Sequence, residues 1–437
     1  MNRNKKRSVS YYRVIPRLVR MGVPQTVGVY PIGQTKRFED GTEYTVKFIP
    51  MECYEQTWIG EEPVYDTVTV RPVDGVLSVT YVFDEEQEWV LSISTEEDRQ
   101  AGKKPHEFHV YALMDDLYER NPYRGDLHVH SNRSDGKEDP AVVAANYRKE
   151  GFDFFALTDH HCWEPSEEMM SSYADMPLGM KLFHGEEVHV PNGWIHIVNF
   201  GSRTSVNTLY KENAAAVDAK MRAEAEKMQT PKGVNALEYA YRKWIVEEIR
   251  RAGGMAIVAH PYWVYRQVYH MSDRMLDYVF ETGAYDAFEL VGGQTTHENN
   301  VQSAFYQDQR AKGRQIAIVG SSDSHGTDPA SYFGLGKTVV FSKDMELDSI
   351  CGAVKEGYSV AIEQQYGGEE ERVYGSYRMV KYTRFLLDYY FPAHDELCVE
   401  EGILMREYIM GSETAGNTLR GLSDRGDAHM RYVLRGE

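Results

Sequence analysis

The sequence predicts an α/β chain: a seven-stranded (β/α)7 TIM-like barrel, preceded by an antiparallel β-sandwich and followed by a helical C-terminal extension. Three observations carry that expectation. Short β-branched runs recur at roughly ten-residue spacing as far as Leu117. After Tyr123 the rhythm changes to apolar strand followed by helix. The apolar strands of that second part then end, one after another, in His, Asp or Glu.

Residues 1–120 are assigned to the sandwich. Thr26–Tyr30, Tyr44–Ile49, Thr67–Val70, Leu77–Phe83 and Trp89–Ile93 alternate or run β-branched, with Pro, Gly or charged turns between them. That pattern suggests an immunoglobulin-like shape. Fold alone assigns no function, so a scaffold is the plain reading and carbohydrate binding the rarer one. The first 37 residues hold nine Lys or Arg and no Asp or Glu. Because Pro16 breaks any amphipathic helix there, an exposed basic lead-in and first strand is preferred over a transit peptide or a nucleic-acid arm.

Residues 121–362 are assigned to the barrel. Asp139-Pro140 is a helix start, with Asp as N-cap and Pro in the first turn, and Gly151 is its stop. The strand that follows is almost wholly apolar, as suits a parallel strand covered on both faces. Leu237, Tyr241, Ile245, Val246 and Ile249 recur at helical spacing within 235–251, and Gly253-Gly254 ends that helix. Helical stretches near 274–280 and 300–312 flank the strand Ala287–Val291. Strands ending near 130, 160, 189, 200, 260, 291 and 325 make seven. The polar, Ala- and Lys-rich segment from Ser202 to Thr230 has no strand signal and is expected to be a helical insertion at the rim. Residues 363–437 form the extension, helical from Tyr377 to Met410 and loosely ordered over the last 25, with contact between copies as one role.

At 437 residues and 42% hydrophobic, the chain can bury more than one core. No apolar run approaches the ~20 residues that span a bilayer, and no signal peptide follows the basic start, so a cytoplasmic protein with no membrane partner is expected. The net charge of −19 argues against a broad face for duplex nucleic acid, which needs many Lys and Arg. It leaves room for a small phosphorylated ligand. Cys53, Cys162, Cys351 and Cys398 lie far apart and form no Cys-x-x-Cys pair, so neither a disulfide framework nor a zinc ribbon is expected.

The chemistry is concentrated in Tyr123–Lys137. His128 and His130 are two residues apart and so point to one side of a strand, where two neutral imidazoles can grip a divalent cation. Asp135 follows in a turn-forming Ser-Asp-Gly that can bend back to add an oxygen. Later strands close on Asp159, His160 and His161, on Glu187, on His196, on His260, and on Asp323 with His325. Such a series converging on one rim describes a metal site, because barrel strands deliver functional side chains to their C-terminal ends. Imidazole-rich sets favour Zn²⁺, Fe²⁺ or Mn²⁺ over Mg²⁺.

His-x-His with its Ser-Asp-Gly, then Thr-Asp-His, Gly-x-Glu, a strand His, Ala-His-Pro and Ser-Asp-x-His, in that order, resemble the PHP (polymerase and histidinol phosphatase) family of metal-dependent phosphoesterases. The resemblance runs from about Tyr123 to about Ile362 and implies a distorted seven-stranded barrel. Carried over position by position, it implies His128, His130, Asp135, His160, Glu187, His196, His260, Asp323 and His325 as ligands of two to three divalent metal ions, with Glu187 the bridging candidate and Glu186 turned away. Two departures touch the substrate side: His161 stands where many relatives have Asp, and about sixty residues separate the His196 strand from His260.

The implied activity is hydrolysis of phosphate esters by a metal-activated hydroxide, on the terminal phosphate of a small molecule or short nucleotide. Arg133 is the first candidate to hold the phosphate, with Lys137 and Arg266 behind it, and His161 or His189 can protonate the leaving group or orient a ligand. The alternatives are an exonuclease-like phosphodiesterase, a non-catalytic metal-stabilised binding module, and hydrolysis of an amide or lactone.

Overall fold

The computed structural model describes residues 11–52, 64–292, 295–364 and 370–437. The start of the basic lead-in, residues 1–10, and Cys53 lie outside them. The chain divides into two compact units. One takes residues 2–120, 381–394 and 424–437, the other residues 121–380 and 395–423.

The first unit is a two-sheet sandwich. Strands β1 (Tyr12–Ile15), β2 (Leu18–Arg20), β3 (Pro24–Pro31), β4 (Tyr44–Pro50), β5 (Thr67–Val70), β6 (Leu77–Val82), β7 (Glu88–Ser94) and β8 (His106–Leu113) assemble as β1-β3-β6 and β2-β8-β7-β4-β5. All pairs are antiparallel except β2 with β8. The alternation expected from the sequence puts Val27, Val29, Leu77 and Val79 of one sheet in the same core as Val46, Phe48, Leu91 and Ile93 of the other. The helix Arg425–Arg435 belongs to this unit, and Arg435 Nη2 donates to the carbonyls of Tyr118 and Arg120, both at 2.9 Å.

The second unit is built on strands β9 (Asn121–Asp126), β10 (Phe154–Ala156), β11 (Lys181–Phe183), β12 (Gly185–Val188), β13 (Ile197–Phe200), β14 (Met255–Val258), β15 (Val264–Tyr265), β16 (Val268–Tyr269), β17 (Ala287–Gly292), β18 (Ile318–Ser321), β19 (Gly336–Ser342), β20 (Ser359–Gln364) and β21 (Glu371–Tyr374). The seven strands expected from the sequence are β9, β10, β12, β13, β14, β17 and β18, and each forms. They do not close into one parallel barrel. They fall in two sheets, β11-β10-β9-β19-β20-β21 and β12-β13-β14-β17-β18, with β15-β16 a separate hairpin. The two large sheets are joined by the isolated parallel bridges His160 to Glu187 and Val129 to Ser324 and, at β18, by side-chain hydrogen bonds from Thr338 Oγ1 to Gly320 O and from Ser359 Oγ to Ile318 O, both at 2.7 Å.

Direction also departs from expectation, because β13 runs antiparallel to both β12 and β14. The physical reason is length. Eight residues, 189–196, join β12 to β13, and a crossover to a parallel neighbour needs a dozen or more.

The helices follow their sequence signals. Pro140–Lys149 starts after Asp139 and is followed by Gly151 at φ 95°. Ala236–Arg251 starts at Asn235, whose side chain accepts from the N–H of Leu237 and of Glu238. The expected insertion is helical over Val206–Ala225, capped by Ser205 and kinked at Asn213, whose φ of −127° and ψ of 18° leave the helical range. The last 25 residues are more regular than the sequence suggested: Glu413–Leu422 and Arg425–Arg435 are helices, the first capped by the Ser412 side chain. No described helix is long and apolar enough to cross a membrane.

Candidate metal centre

The site lies where strands β9, β10, β12, β14, β17 and β18 run out at their C-terminal ends. Beyond β9 the chain stays extended, with His130 N–H donating to Ser324 O at 2.9 Å and Thr158 N–H to Val129 O at 2.8 Å, and this carries His128 and His130 inward to full burial. The turn after them is held by Asp159. Its carboxylate accepts from the N–H and hydroxyl of Ser131, both at 2.9 Å, and of Ser134, at 3.1 and 2.6 Å. Gly136 completes the bend where a Cβ would come within 2.6 Å of His130 O. Asp135 is thereby turned back, 3.4 Å from His160 Nε2 and 3.3 Å from His325 Nε2.

Glu187 is the centre of the cluster and is wholly buried. Its Oε2 lies 2.7 Å from His160 Nδ1, 3.4 Å from His128 Nε2 and 3.7 Å from His130 Nε2. Its Oε1 lies 2.9 Å from His196 Nδ1 and 3.3 Å from His260 Nε2. Asp323 Oδ1 stands 3.0 Å from His130 Nε2 and 3.3 Å from His128 Nε2. All nine residues that the motifs imply therefore converge. His161, His260 and Asp323 take left-handed φ of 61°, 24° and 49°, backbone strain of the kind that collects at functional sites.

Proximity here is not pairing. His128 Nε2, His130 Nδ1, Glu187 Oε2, His196 Nδ1 and His260 Nδ1 are buried, and none has a hydrogen-bond partner among the described residues. Buried polar atoms are ordinarily satisfied. So many unsatisfied imidazole and carboxylate atoms in one buried cluster fit divalent cations, and the residues group as His130, Asp135, His160 and His325, as His128, His130 and Glu187, and as His160, Glu187 and His189.

The electrostatics split the imidazoles: nearby carboxylates outweigh burial at His128, His160, His260 and His325 and raise them, whereas burial prevails at His130 and His196. Burial raises the carboxyls of Glu187 and Asp323, but the imidazoles around them prevail and hold both below the usual carboxylate range. Burial lowers His130 to about 3 and His196 to about 4, so both stay neutral, the form that ligates. His160 goes the other way, to about 10, because Glu187 and Asp135 outweigh burial.

Besides Asp159, three buried carboxylates outside the implied set build this arrangement. Glu289, in the middle of β17, places Oε1 3.1 Å from His128 Nδ1 and accepts the His260 N–H on Oε2 at 2.8 Å. Asp126 accepts from the N–H groups of His128 and Ser322 and from the Tyr147 hydroxyl, and burial pushes it up to about 7. Glu186 faces away from the cluster and grips the insertion helix, accepting from Ser205 Oγ at 2.6 Å, Val206 N–H at 2.6 Å and Asn207 Nδ2 at 2.9 Å. Asn207 in turn donates to Glu187 O at 3.0 Å and accepts from His189 N–H.

The residues assigned to substrate handling lie further out. His161 is exposed at the rim, its ring 4.6 Å from that of His189, with Lys211 of the insertion helix donating to its carbonyl. Its pKa is lowered, first by desolvation and then by the charges of His189, His160 and Lys211. His189 Nε2 lies 2.9 Å from His160 Nδ1 and 3.0 Å from Glu187 Oε2, closer to the cluster than its sequence position implied. Arg133 is not at the cluster. It forks onto Glu168 at 2.6 and 2.8 Å and reaches Asp139 at 3.0 Å. Lys137 is held by Asp328 and Ser331, and Arg266 is exposed on the β15-β16 hairpin.

No protein-family model and no curated protein matches the chain. Solved structures similar to it include a two-domain Bacteroides vulgatus protein containing a predicted PHP-like metal-dependent phosphoesterase, at TM-score 0.44 and 17% identity over 62% of this chain and 71% of that one. A candidate metal-dependent phosphoesterase of Bifidobacterium adolescentis matches at TM-score 0.33 and 18% identity over 46% and 88%. An amidohydrolase of Chromobacterium violaceum, holding sulfate and no metal, matches at TM-score 0.32 and 21% identity over 46% and 87%.

Proposed function

We propose that this chain is a PHP-family, metal-dependent hydrolase acting on the terminal phosphate of a small molecule or short nucleotide. The observation that carries the reading is Glu187, whose two oxygens face different imidazoles while Oε2 has no hydrogen-bond partner among the described residues. His128, His130, Asp135, His160, Glu187, His196, His260, Asp323 and His325 are the residues that would hold two to three divalent cations. Bound there, such ions lower the pKa of water and neutralise phosphate charge, so the protein needs no covalent nucleophile.

The chain's own residues supply the rest. Glu289 holds the His128 proton on Nδ1, leaving Nε2 to face the cluster. Asp159 fixes the turn that presents Asp135. His161, exposed beside His189, is placed to give a proton to the departing oxygen, its lowered pKa confining that role to acidic pH, and Lys211 brings a cation to the same edge. Arg133 serves the phosphate only by leaving Glu168, so Lys211 takes precedence over it as the phosphate contact.

The test is metal content by elemental analysis together with kcat/KM on phosphomonoesters, a nitrophenyl ester of acetate, and single- and double-stranded oligonucleotides, for the parent and Asp323→Asn. Bound transition metal and phosphomonoester turnover that falls by about 1,000-fold or more in Asp323→Asn supports the reading. Metal-free protein, turnover confined to the acetate ester, or a preference for duplex would overturn it.

A further inference from the structure

Against the cluster lies one more imidazole that the nine ligands do not include. His270 is 2% exposed, and neither of its ring nitrogens has a hydrogen-bond partner among the described residues. Phe at that position would pack without leaving two polar atoms dry, so the imidazole points to a partner that arrives from outside. Its ring centre is 4.3 Å from that of the ligand His196 and 5.2 Å from that of Trp194. Trp263 stands 5.8 Å from His196 on the same side, and Tyr265 follows 5.3 Å beyond it. Trp194 and Tyr265, 6.2 Å apart, are 36% and 37% exposed.

An aromatic surface thus runs without a break from a metal ligand to open solvent. The hairpin of β15 and β16 carries its outer part, and the turn between them holds Arg266 and Gln267 at φ of 48° and 70°, a left-handed turn that non-glycine residues form at a cost. Arg266 lies over the Tyr265 ring at 5.1 Å. Large aromatic side chains left about a third exposed beside a polar cluster form a binding surface, and a flat ring stacked on them gains attraction beyond the area it buries.

We propose that this wall is the subsite for the group esterified to the phosphate, and that the group is a planar aromatic one, stacked on Trp194 and Tyr265 and hydrogen-bonded by His270. The proposal rests on the phosphoesterase reading for its choice of phosphate but not for the ring it selects. A nucleobase and a simple aryl group share this chemistry. They differ at His270, which has a heteroatom to bond in the first and none in the second.

The experiment uses the full chain loaded with Mn²⁺ and compares a purine nucleoside monophosphate, phenyl phosphate and glycerol phosphate, with calorimetric binding of the phosphate-free nucleoside as a readout apart from turnover. The expected result is a preference of about 10-fold or more in kcat/KM for the aromatic esters over glycerol phosphate, falling at least about 5-fold in Trp194→Ala through KM. Tyr265→Ala, on the exposed hairpin, repeats the test if Trp194→Ala does not fold. His270→Phe should melt no lower than the parent and lose preference for the nucleoside ester but not the phenyl one; no loss for either assigns the ring to a simple aryl group, and an equal loss for both would overturn the hydrogen bond from His270. Nucleoside binding with no ester cleaved would overturn the phosphoesterase reading and keep the subsite. Turnover of all three esters alike, unchanged in ratio by Trp194→Ala and Tyr265→Ala, would overturn the subsite and keep the phosphoesterase.

Discussion

Glu289→Gln removes one charge and almost no volume, and it should weaken metal binding sharply. The carboxylate is wholly buried and uses both oxygens, Oε1 at 3.1 Å from His128 Nδ1 and Oε2 at 2.8 Å from the His260 N–H. An amide offers one acceptor in place of two. If the backbone N–H of His260 keeps the oxygen, the amide NH₂ faces His128 Nδ1, and the ring must shift its proton to Nε2. That nitrogen stands 3.4 Å from Glu187 Oε2 and 3.3 Å from Asp323 Oδ1, so the lone pair aimed into the cluster is lost. Losing such a partner typically costs about 10- to 100-fold in metal affinity, or about 1.4 to 2.7 kcal/mol. Chelator competition with Zn²⁺ or Mn²⁺ measures it, and circular dichroism confirms that the fold survives. A folded variant whose affinity lies within about twofold of the parent's would refute the role given to Glu289.

Two further predictions concern stability. Arg148 is buried between Glu401 at 2.7 Å and Asp153 at 3.1 Å, so Glu401→Ala should cost about 3 kcal/mol in urea unfolding, the low end for breaking a buried pair because Asp153 remains; a loss under about 1 kcal/mol would contradict this. His429 is held down to about 4, by burial first and then by the charges of His394, Arg13 and Arg425. Folded protein keeps that ring neutral while the unfolded chain takes up a proton below about 6.5, so stability falls from pH about 6.5 towards about 4 and is level above. His429→Gln should therefore lose less melting temperature than the metal-loaded parent between those pH values, by an amount equivalent to about 1 kcal/mol for this partly open ring, and equal losses would remove His429 as the cause.

What could be read from the sequence followed from what the chemistry demands of it. Metal ligands must be His, Asp or Glu at strand ends, so His128, His160, Glu187, His260 and Asp323 stood out, and the structure brings them together. Glu289 left a signal that passed unused: a carboxylate amid the apolar run Ala287–Val291 is unexpected unless it has a partner. Asp126, two residues before His128, left a weaker one. Strand direction was not legible from periodicity, which is the same for parallel and antiparallel strands; the eight-residue link between β12 and β13 held the answer. Arg133 was chosen for its nearness in sequence, and the deciding fact, Glu168 beside it, is a tertiary contact. His270 comes from a loop whose sequence carries no periodic signal, and only the fold puts it beside His196 and Trp194.

Adjacent glutamates on β12 face opposite ways, and this bears on how the segment at 202–230 can vary. Glu187 faces the cluster while Glu186 is wholly buried and takes its hydrogen bonds from Asn199, Ser205, Val206 and Asn207. Shortening the loop to remove the helix would strand a buried carboxylate one residue from Glu187. Further along, Val217 and Met221 pack with Trp244 and Ile245, so length can be gained freely only past Ala225, and the first turn has to be inherited together with Glu186.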